Sequence, residues 1–515
     1  MALDPFRTHP LHDLAMQRGW RLIRRLLGGT QEMREAGQDL LPFYAEESDD
    51  DYRKRMLRVY VYPMFENAIE RIVSKPFSKQ VTVEGTEPLG PKWSDDVDRR
   101  GTDLHAFLRK HFIRKASYGV STIVAAMPST RGLSDENGHE SVANIARFRI
   151  RPYLRCIHPT RTIAWEWKDG PGGLQVLGEL RVLETRFEQD AEGGFVESEY
   201  VRRYLETGQW ELYRRTRRGS HARPELVDSG ALPVNYIPAI VDCADEDEDD
   251  PLAPYAPLEG LAWLNYRHTI SWMEQNIALF GARAAMLFEQ GADAVEARKP
   301  LVVGPFRTHR VSGTPDETDL KFVEPTGKGC ELGDRDLANI IELARSLGDQ
   351  PLMRTGSTQT AKGRALDEGK VECTAHSWVH GTTRNAARAI RMCAHLKANG
   401  AGELDDQLPN LKVDIYSDFA AFGDRGLDSY ALVQKDHQDG VIGKRLRLEA
   451  GKRFGVYPDT IDIETELDIA EEEDADRFQR QAEMLQRGLP RTPGAEAEAE
   501  VDEEAEDGGS SPPEA

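Results

Sequence analysis

Apolar side chains recur at helical spacing through much of the chain, interrupted by one long interval of alternation. Residues 14–27 set Leu14, Leu22, Ile23, Leu26 and Leu27 near one face, with Arg18, Arg21, Arg24 and Arg25 among them, until Gly28-Gly29 stops the pattern. This predicts an amphipathic helix with a solvated arginine face. In "SDDDYRKRMLRVYVYPMFENAIERIVSKPF", residues 48–77, Ser48 is placed to cap a helix and Asp51 to complete a capping box, while Asp49 and Asp50 complement the positive helix end. Tyr52, Met56, Val59 and Tyr60 follow one face. Pro63 lacks an N–H and crowds the preceding turn, so a break near Tyr62 is expected, with a restart through Phe65, Ile69, Ile72 and Val73 up to Pro76. "FSKQVTVEG" then reads as a short strand closed by Gly85.

A further helix is predicted from about Asp103 to Tyr118, with Leu104, Phe107, Leu108, Phe112 and Ile113 inward and Gly119 as a left-handed stop. "VSTIVAAMP" follows as a buried strand. Residues 147–241 change period: "FRIRPYLRCI", "TIAWEW", "LQVLGELRVLETRFE", "YVRRYLE", "WELYRR" and "YIPAIVDC" alternate like strands, and "DGPGG" and "AEGG" read as hairpin loops. One face of that sheet is expected to be arginine-rich. After the acidic run at 245–250, a strong helix is predicted over about 257–288. Short strands "KPLVVGPFRTHRV" and "DLKFVEPTG" follow, then helices over about 333–347 and 360–397. The strand "LKVDIYSDF" and helices over about 429–438 and 444–454 complete the pattern.

With 515 residues, the chain exceeds one compact core. Its 39% hydrophobic content supports real cores, and no window approaches an uninterrupted membrane-length apolar run, so no membrane span is expected. The first residues lack the basic-then-apolar order of a signal peptide. Cys156, Cys243, Cys330, Cys373 and Cys393 are odd in number and never spaced C-x-x-C, which argues against a disulfide framework and a structural zinc site. The formal charge is −22, but residues 464–515 hold eighteen acidic residues against four arginines, net −14, leaving −8 for the rest. The acidity therefore describes a tail more than a folded body. That tail, 488–515, has low complexity and few large apolar residues, and is expected to be disordered.

Catalytic signatures fail in turn. "EPTGKGCELG" has neither the earlier glycine nor the following Ser/Thr of a phosphate-binding loop, and His139-Glu140 lacks the second histidine of a zinc protease. His376 and His380 stand one helical turn apart without a third ligand. There is no G-x-S-x-G elbow and no cysteine that stands out as a nucleophile. "DCADEDEDDP" is carboxylate-rich but lacks the glycine and terminal glutamate of an EF-hand loop. No catalytic residue, metal ligand or cofactor is expected.

The order of blocks, however, resembles that of tailed-phage portal proteins, in particular the portal-like family catalogued as a domain of unknown function, DUF4055. "LPFYAEESDDDYRKRMLRVYVYPMFENAIERIVSKPF" is similar to that family's opening, and "FLRKHFIRKASYGVSTIVAAMP" to the portal helix–Gly–strand step. The segment from "YIPAIVDC" to "AAMLFEQG" resembles the Ile-Pro strand, loop and long helix leading into a portal stem. "SYALVQKDHQDGVIGKRLRLEAGKRFGVYPDTIDIETELDIAEEE" resembles the crown pattern. Together these blocks cover most of residues 40–475.

What the resemblance implies is an α+β, portal-type subunit, mainly helical with β-hairpin segments, assembling as a ring. Residues 1–39 would be an N-terminal arm, 40–256 the wing, 257–288 a stem helix, 289–331 the clip, 332–348 a second stem helix and 349–359 the tunnel loop. Residues 360–423 would be the long wing helix and strand, 424–478 the crown and 479–515 the acidic tail. The implied function is non-enzymatic passage of double-stranded DNA through a homo-oligomeric ring, expected to be a dodecamer, at one capsid vertex of the virion, after assembly in the host cytoplasm. Implied partners are the terminase large subunit, the head–tail adaptor and the major capsid protein or scaffold, with no membrane. Gln350, Met353, Arg354, Thr355, Ser357, Gln359 and Lys362 would face the DNA channel, and Arg307, His309, Arg310 and Lys321 would serve the clip. Two alternatives are another head–tail adaptor or minor capsid protein, and a metal-dependent enzyme built on the carboxylates of 242–250.

Overall fold

The computed structural model describes residues 4–45, 47–128, 150–173, 175–189, 193–216, 224–245, 250–283, 286–290, 319–323, 328–349, 374–417, 433–438, 442–453, 456–457 and 462–469. Two units are distinguished, Met1–Ser417 and Asp418–Ala515. Helices and antiparallel sheets both contribute, and no sheet closes into a barrel among the described residues.

In the first unit, α1 (Pro10–Ala15) runs through a π-helical turn, Met16–Trp20, into α2 (Arg21–Leu27) and, after a kink at Gly28, α3 (Gly29–Ala36). The arginine face is less solvated than its pattern predicts: Arg18 lies over the Tyr255 ring at 4.3 Å and Arg25 pairs with Glu32. Trp20 is buried and donates through Nε1 to the Tyr118 carbonyl at 3.1 Å. Phe6 is buried against Ile163 and Val201, so the first residues are tied to the sheet region.

Ser48 caps α4 (Asp49–Leu57) by accepting from the Asp51 N–H at 3.2 Å, and its own hydroxyl donates to Asp51 Oδ2 at 2.7 Å. The helix stops at Leu57, earlier than the expected break, and residues 58–63 are non-helical before α5 (Met64–Ser74). Two anchors flank the break. Arg55, only 4% exposed, makes a bidentate pair with Glu47, donates to the Pro42 carbonyl and stacks on Tyr44. Pro63 offers no side-chain cap, and its place is taken by Asn265, whose Oδ1 accepts from the Phe65 N–H at 3.0 Å while Nδ2 donates to the Tyr62 carbonyl at 2.9 Å.

A short strand, β1 (Thr82–Glu84), precedes α6 (Leu104–Tyr118), whose Asp103 cap and left-handed Gly119 stop, at φ 84°, match the sequence reading. A Cβ on Gly119 would stand 2.5 Å from the Tyr255 carbonyl oxygen, so both backbone angle and space require glycine. The chain then enters β2 (Val120–Ala126) and β3 (Tyr153–Ile157). Next come the five antiparallel strands β4 (Thr162–Asp169), β5 (Gln175–Gln189), β6 (Phe195–Leu205), β7 (Gln209–Thr216) and β8 (Glu225–Ala231), paired in sequence order. β9 (Ala239–Cys243) returns beside β2, giving a three-stranded sheet ordered β3-β2-β9.

The expected arginine-rich face of the five-stranded sheet is present but threaded with glutamates. Arg181 and Arg203 are directly opposed, and Glu179 bridges them; Arg203 also meets Glu211 at 3.0 Å, and Arg215 meets Glu199 at 2.8 Å. Cross-strand acids thus turn like-charge neighbours into a ladder.

α7 (Glu259–Arg283) begins where the sequence predicts but ends earlier, because 286–290 is not helical. It forms β10 (Met286–Gln290), paired antiparallel with β11 (Asp319–Val323). α8 (Lys328–Asp349) is longer at both ends than expected, and α9 (Thr374–Lys397) fills the described part of the predicted 360–397 helix. β12 (Lys412–Asp414) pairs with β1. In the second unit, residues 433–438 are helical and α10 (Lys444–Arg453) follows. No described helix is long and apolar enough to cross a membrane.

Candidate assembly interface and buried charge cluster

The expected tunnel-loop residues, Gln350, Met353, Arg354, Thr355, Ser357, Gln359 and Lys362, lie outside the described residues, as do Arg307, His309 and Arg310 of the expected clip and the tail 479–515. Lys321 falls on β11. What the described residues bring together is the helix pair α7 and α8.

α7 and α8 lie side by side and antiparallel: a Cβ on Gly348 would touch Leu261, whereas Gln275, two turns from the other end of α7, donates to the Cys330 carbonyl at 2.7 Å and to Asp334 Oδ1 at 2.9 Å. Arg267 adds an ion pair with Asp336 at 3.2 Å. Leu337, Ile340 and Ala344 of α8 and Met273 of α7 are buried. The outer faces are not polar throughout. Trp263, Trp272 and Ile277 of α7 and Leu332 and Leu343 of α8 are exposed. Trp272, 38% exposed, joins Tyr60 at 6.0 Å and the buried His268 at 6.2 Å, and His268 meets Tyr62 at 5.7 Å. The non-helical segment 58–63 therefore presents two tyrosines beside an exposed tryptophan. A contiguous aromatic patch of this kind is characteristic of protein–protein contact sites. The sequence reading placed Tyr60 on a helix face and did not foresee the patch.

Behind this framework, three elements meet on one buried charge. Asp242 of β9 and Lys115 of α6 are 0% and 1% exposed, with Lys115 Nζ 2.7 Å from Asp242 Oδ1. Lys115 also donates to the Trp378 carbonyl and to Thr382 Oγ1 of α9 at 3.0 and 3.2 Å. Asp242 accepts further from Asn385 Nδ2 at 2.9 Å, Thr382 Oγ1 at 2.7 Å and His111 Nε2 at 2.9 Å. Burial would raise the Asp242 pKa, but the Lys115 charge and the His111 bond outweigh it and hold the carboxyl well below the usual range. Gly381 makes room for the ammonium, since a Cβ there would stand 3.2 Å from Lys115 Nζ.

At Asp242, the first carboxylate of the metal-dependent alternative, the structure shows the side chain engaged by protein groups, while residues 246–249 of that run lie outside the described residues. Both oxygens of Asp242 are taken by protein donors, and no cluster of metal-ligating side chains occurs among the described residues. Asp250 likewise accepts from Trp165 Nε1 at 2.8 Å. The cluster does extend to a thiol: Cys156 Sγ lies 3.8 Å from His111 Nδ1 and 2.9 Å from Arg114 Nη1. Burial pushes that thiol up, yet His111 and Arg114 draw it down to about 7. The row has the order of nucleophile, base and carboxylate. However, His111 and Asp242 are sealed from solvent, and Asp242 is shared with α9, so the row fastens helix to sheet.

A family model described as a domain of unknown function, DUF4055, matches residues 257–396. This interval runs from α7 through β10, β11 and α8 into α9, and is narrower than the 40–475 over which the sequence blocks resemble portals. Among curated protein sequences none matches. Solved structures with partial overlap include a native gene transfer agent virion, at 12% identity and a TM-score of 0.36, covering 81% of this chain and 98% of that one. The neck of a native gene transfer agent particle overlaps over the same shares at 12% identity and 0.35. The neck of an empty particle overlaps at 14% and 0.34, over 76% of this chain and 90% of that one. Overlaps this loose do not establish a common fold.

Proposed function

We propose that the chain is a non-enzymatic portal subunit: a ring at one capsid vertex through which double-stranded DNA enters and leaves, and on which the terminase and then the head–tail adaptor dock. The observation that carries this reading is the aromatic patch of Tyr60, Tyr62 and Trp272 on the α5–α7 framework, which a lone subunit leaves in water and a neighbouring copy would cover. The ordered sequence blocks and the DUF4055 match over the helices assigned to stem and wing support it. Charge is in keeping with it as well. A conduit must release its cargo, and sequence-independent DNA binding grows with phosphate-neutralising Lys and Arg, so a body without a basic excess suits passage rather than retention.

Sedimentation velocity of the full chain tests the reading. The parent protein is expected to sediment as one large closed species, and the double variant Tyr60→Ala/Trp272→Ala as monomers with unchanged circular dichroism. An assembly that survives both substitutions would remove the patch from the account. A parent protein that never assembles would remove the portal reading itself.

A further inference from the structure

A cleft of about 860 Å³ opens beside the edge strand β3, lined also by α2, α6 and parts of β5 and β6. Nine of its lining side chains are Lys or Arg, and two, Asp98 and Glu184, are acidic, in a chain of formal charge −22. Glu184 is over-subscribed: Arg155, Arg186 and Arg202 approach it at 2.6, 2.7 and 3.4 Å, so three guanidiniums share one carboxylate. Arg24, Lys110 and Arg161, from three separate elements, have no carboxylate partner among the described residues. Arg114 is held in place by donating to the Cys156 carbonyl at 2.7 Å.

These last four cations line the cleft together with His158 and act on it electrostatically. Its Nδ1 accepts from the Thr160 N–H at 3.4 Å and lies 2.9 Å from Thr160 Oγ1. Burial first, and then the charges of Arg114, Arg161, Arg24 and Lys110, press its pKa down to about 3. Burial is the larger cause, and the share that comes from the four charges reports a positive potential that a bound anion would relieve.

We propose that this cleft binds a small molecule bearing a polyphosphate chain, such as pyrophosphate or a nucleoside di- or triphosphate, gripped by Arg24, Lys110, Arg114 and Arg161. Charge density selects this class. Four cations lining one cleft call for several closely spaced negative charges, which adjoining phosphates carry. A carboxylate peptide carries one charge per side chain, and a nucleic-acid strand one per nucleotide step. Guanidinium forks match phosphate oxygens in pairs, and the cleft falls in the size range of small-molecule sites.

Isothermal titration of the full chain at low ionic strength, with pyrophosphate as the probe, tests this. Saturable binding is expected, with inorganic phosphate weaker. Arg24→Ala and Arg161→Ala should each weaken it by about ten-fold or more, the loss of one charge-assisted contact. Both side chains are exposed, so neither truncation disturbs a core. Lys412→Ala, at an exposed lysine on β12, should bind like the parent protein. Absence of saturable pyrophosphate binding would overturn the proposal, as would equal affinity in the two arginine variants. Tighter binding of a DNA duplex or of polyglutamate, lost in the same variants, would overturn it in favour of a macromolecular ligand.

Discussion

Replacing Lys115 by methionine keeps the length and most of the volume of the side chain but removes its charge and all its donors. Asp242 would then remain ionised at a site with no exposed surface, holding only His111, Thr382 and Asn385. Removing one partner of a buried ion pair costs about 3–5 kcal/mol, so the unfolding equilibrium should shift by at least roughly two orders of magnitude. Asp242→Asn should cost a similar amount by stranding the ammonium. The double variant Lys115→Met/Asp242→Asn leaves no uncompensated charge, so its loss should fall short of the sum of the singles by about 1–3 kcal/mol. Urea titration of the full chain, followed by tryptophan fluorescence and circular dichroism, measures all three. Single-variant losses below about 1 kcal/mol, or strict additivity, would refute the claim that this pair is sealed and mutually dependent.

Three other expectations follow from the same contacts. Gly381→Ala pushes a methyl group to 3.2 Å from Lys115 Nζ and should cost about 1–3 kcal/mol as overpacking, visible as a lowered Tm. Asn265→Ala leaves the Phe65 N–H and the Tyr62 carbonyl without their partner; a loss of about 1–3 kcal/mol in urea titration is expected, and a neutral result would show that α5 needs no cap from α7. His158 titrates near 3 when folded and near 6.5 when unfolded, so below pH 6.5 the unfolded chain takes up a proton that the folded chain refuses. The contribution of this group to stability is therefore complete above pH 6.5 and declines by about 1.4 kcal/mol per unit as pH falls toward 3. His158→Gln should flatten that part of the stability–pH profile, and an unchanged slope would mean that the ring is not held neutral.

Local chemistry was the legible part of this chain. Asp103 as cap and Gly119 as stop delimit α6 because both signals act within one turn, and the "DGPGG" and "AEGG" loops do join antiparallel strands. β8 was missed because "ELVDSGA" is polar and only weakly alternating, and it becomes a strand by pairing with β7. Residues 286–288 read as helix because "AAMLF" continues an apolar run, whereas pairing of 286–290 with 319–323 makes them extended. The buried cluster was hidden by distance: Lys115, Asp242 and Thr382 are far apart in sequence, and Asp242 stands at the head of an acidic run that reads as surface. Its one available signal was a carboxylate between Val241 and Cys243 inside a strand. Similarly, Arg24, Lys110 and Arg161 each resemble an ordinary solvated cation until the fold sets them in one cleft with His158.

The central claim is that copies of this chain close into a ring with a passage through it. Negative-stain images of the purified full chain, paired with native mass spectrometry, address it most directly. The account predicts uniform rings with an open centre and a single mass that is an integral multiple of the subunit, expected to be twelve-fold. A stable monomer at micromolar concentration, or closed particles without a central opening, would contradict it.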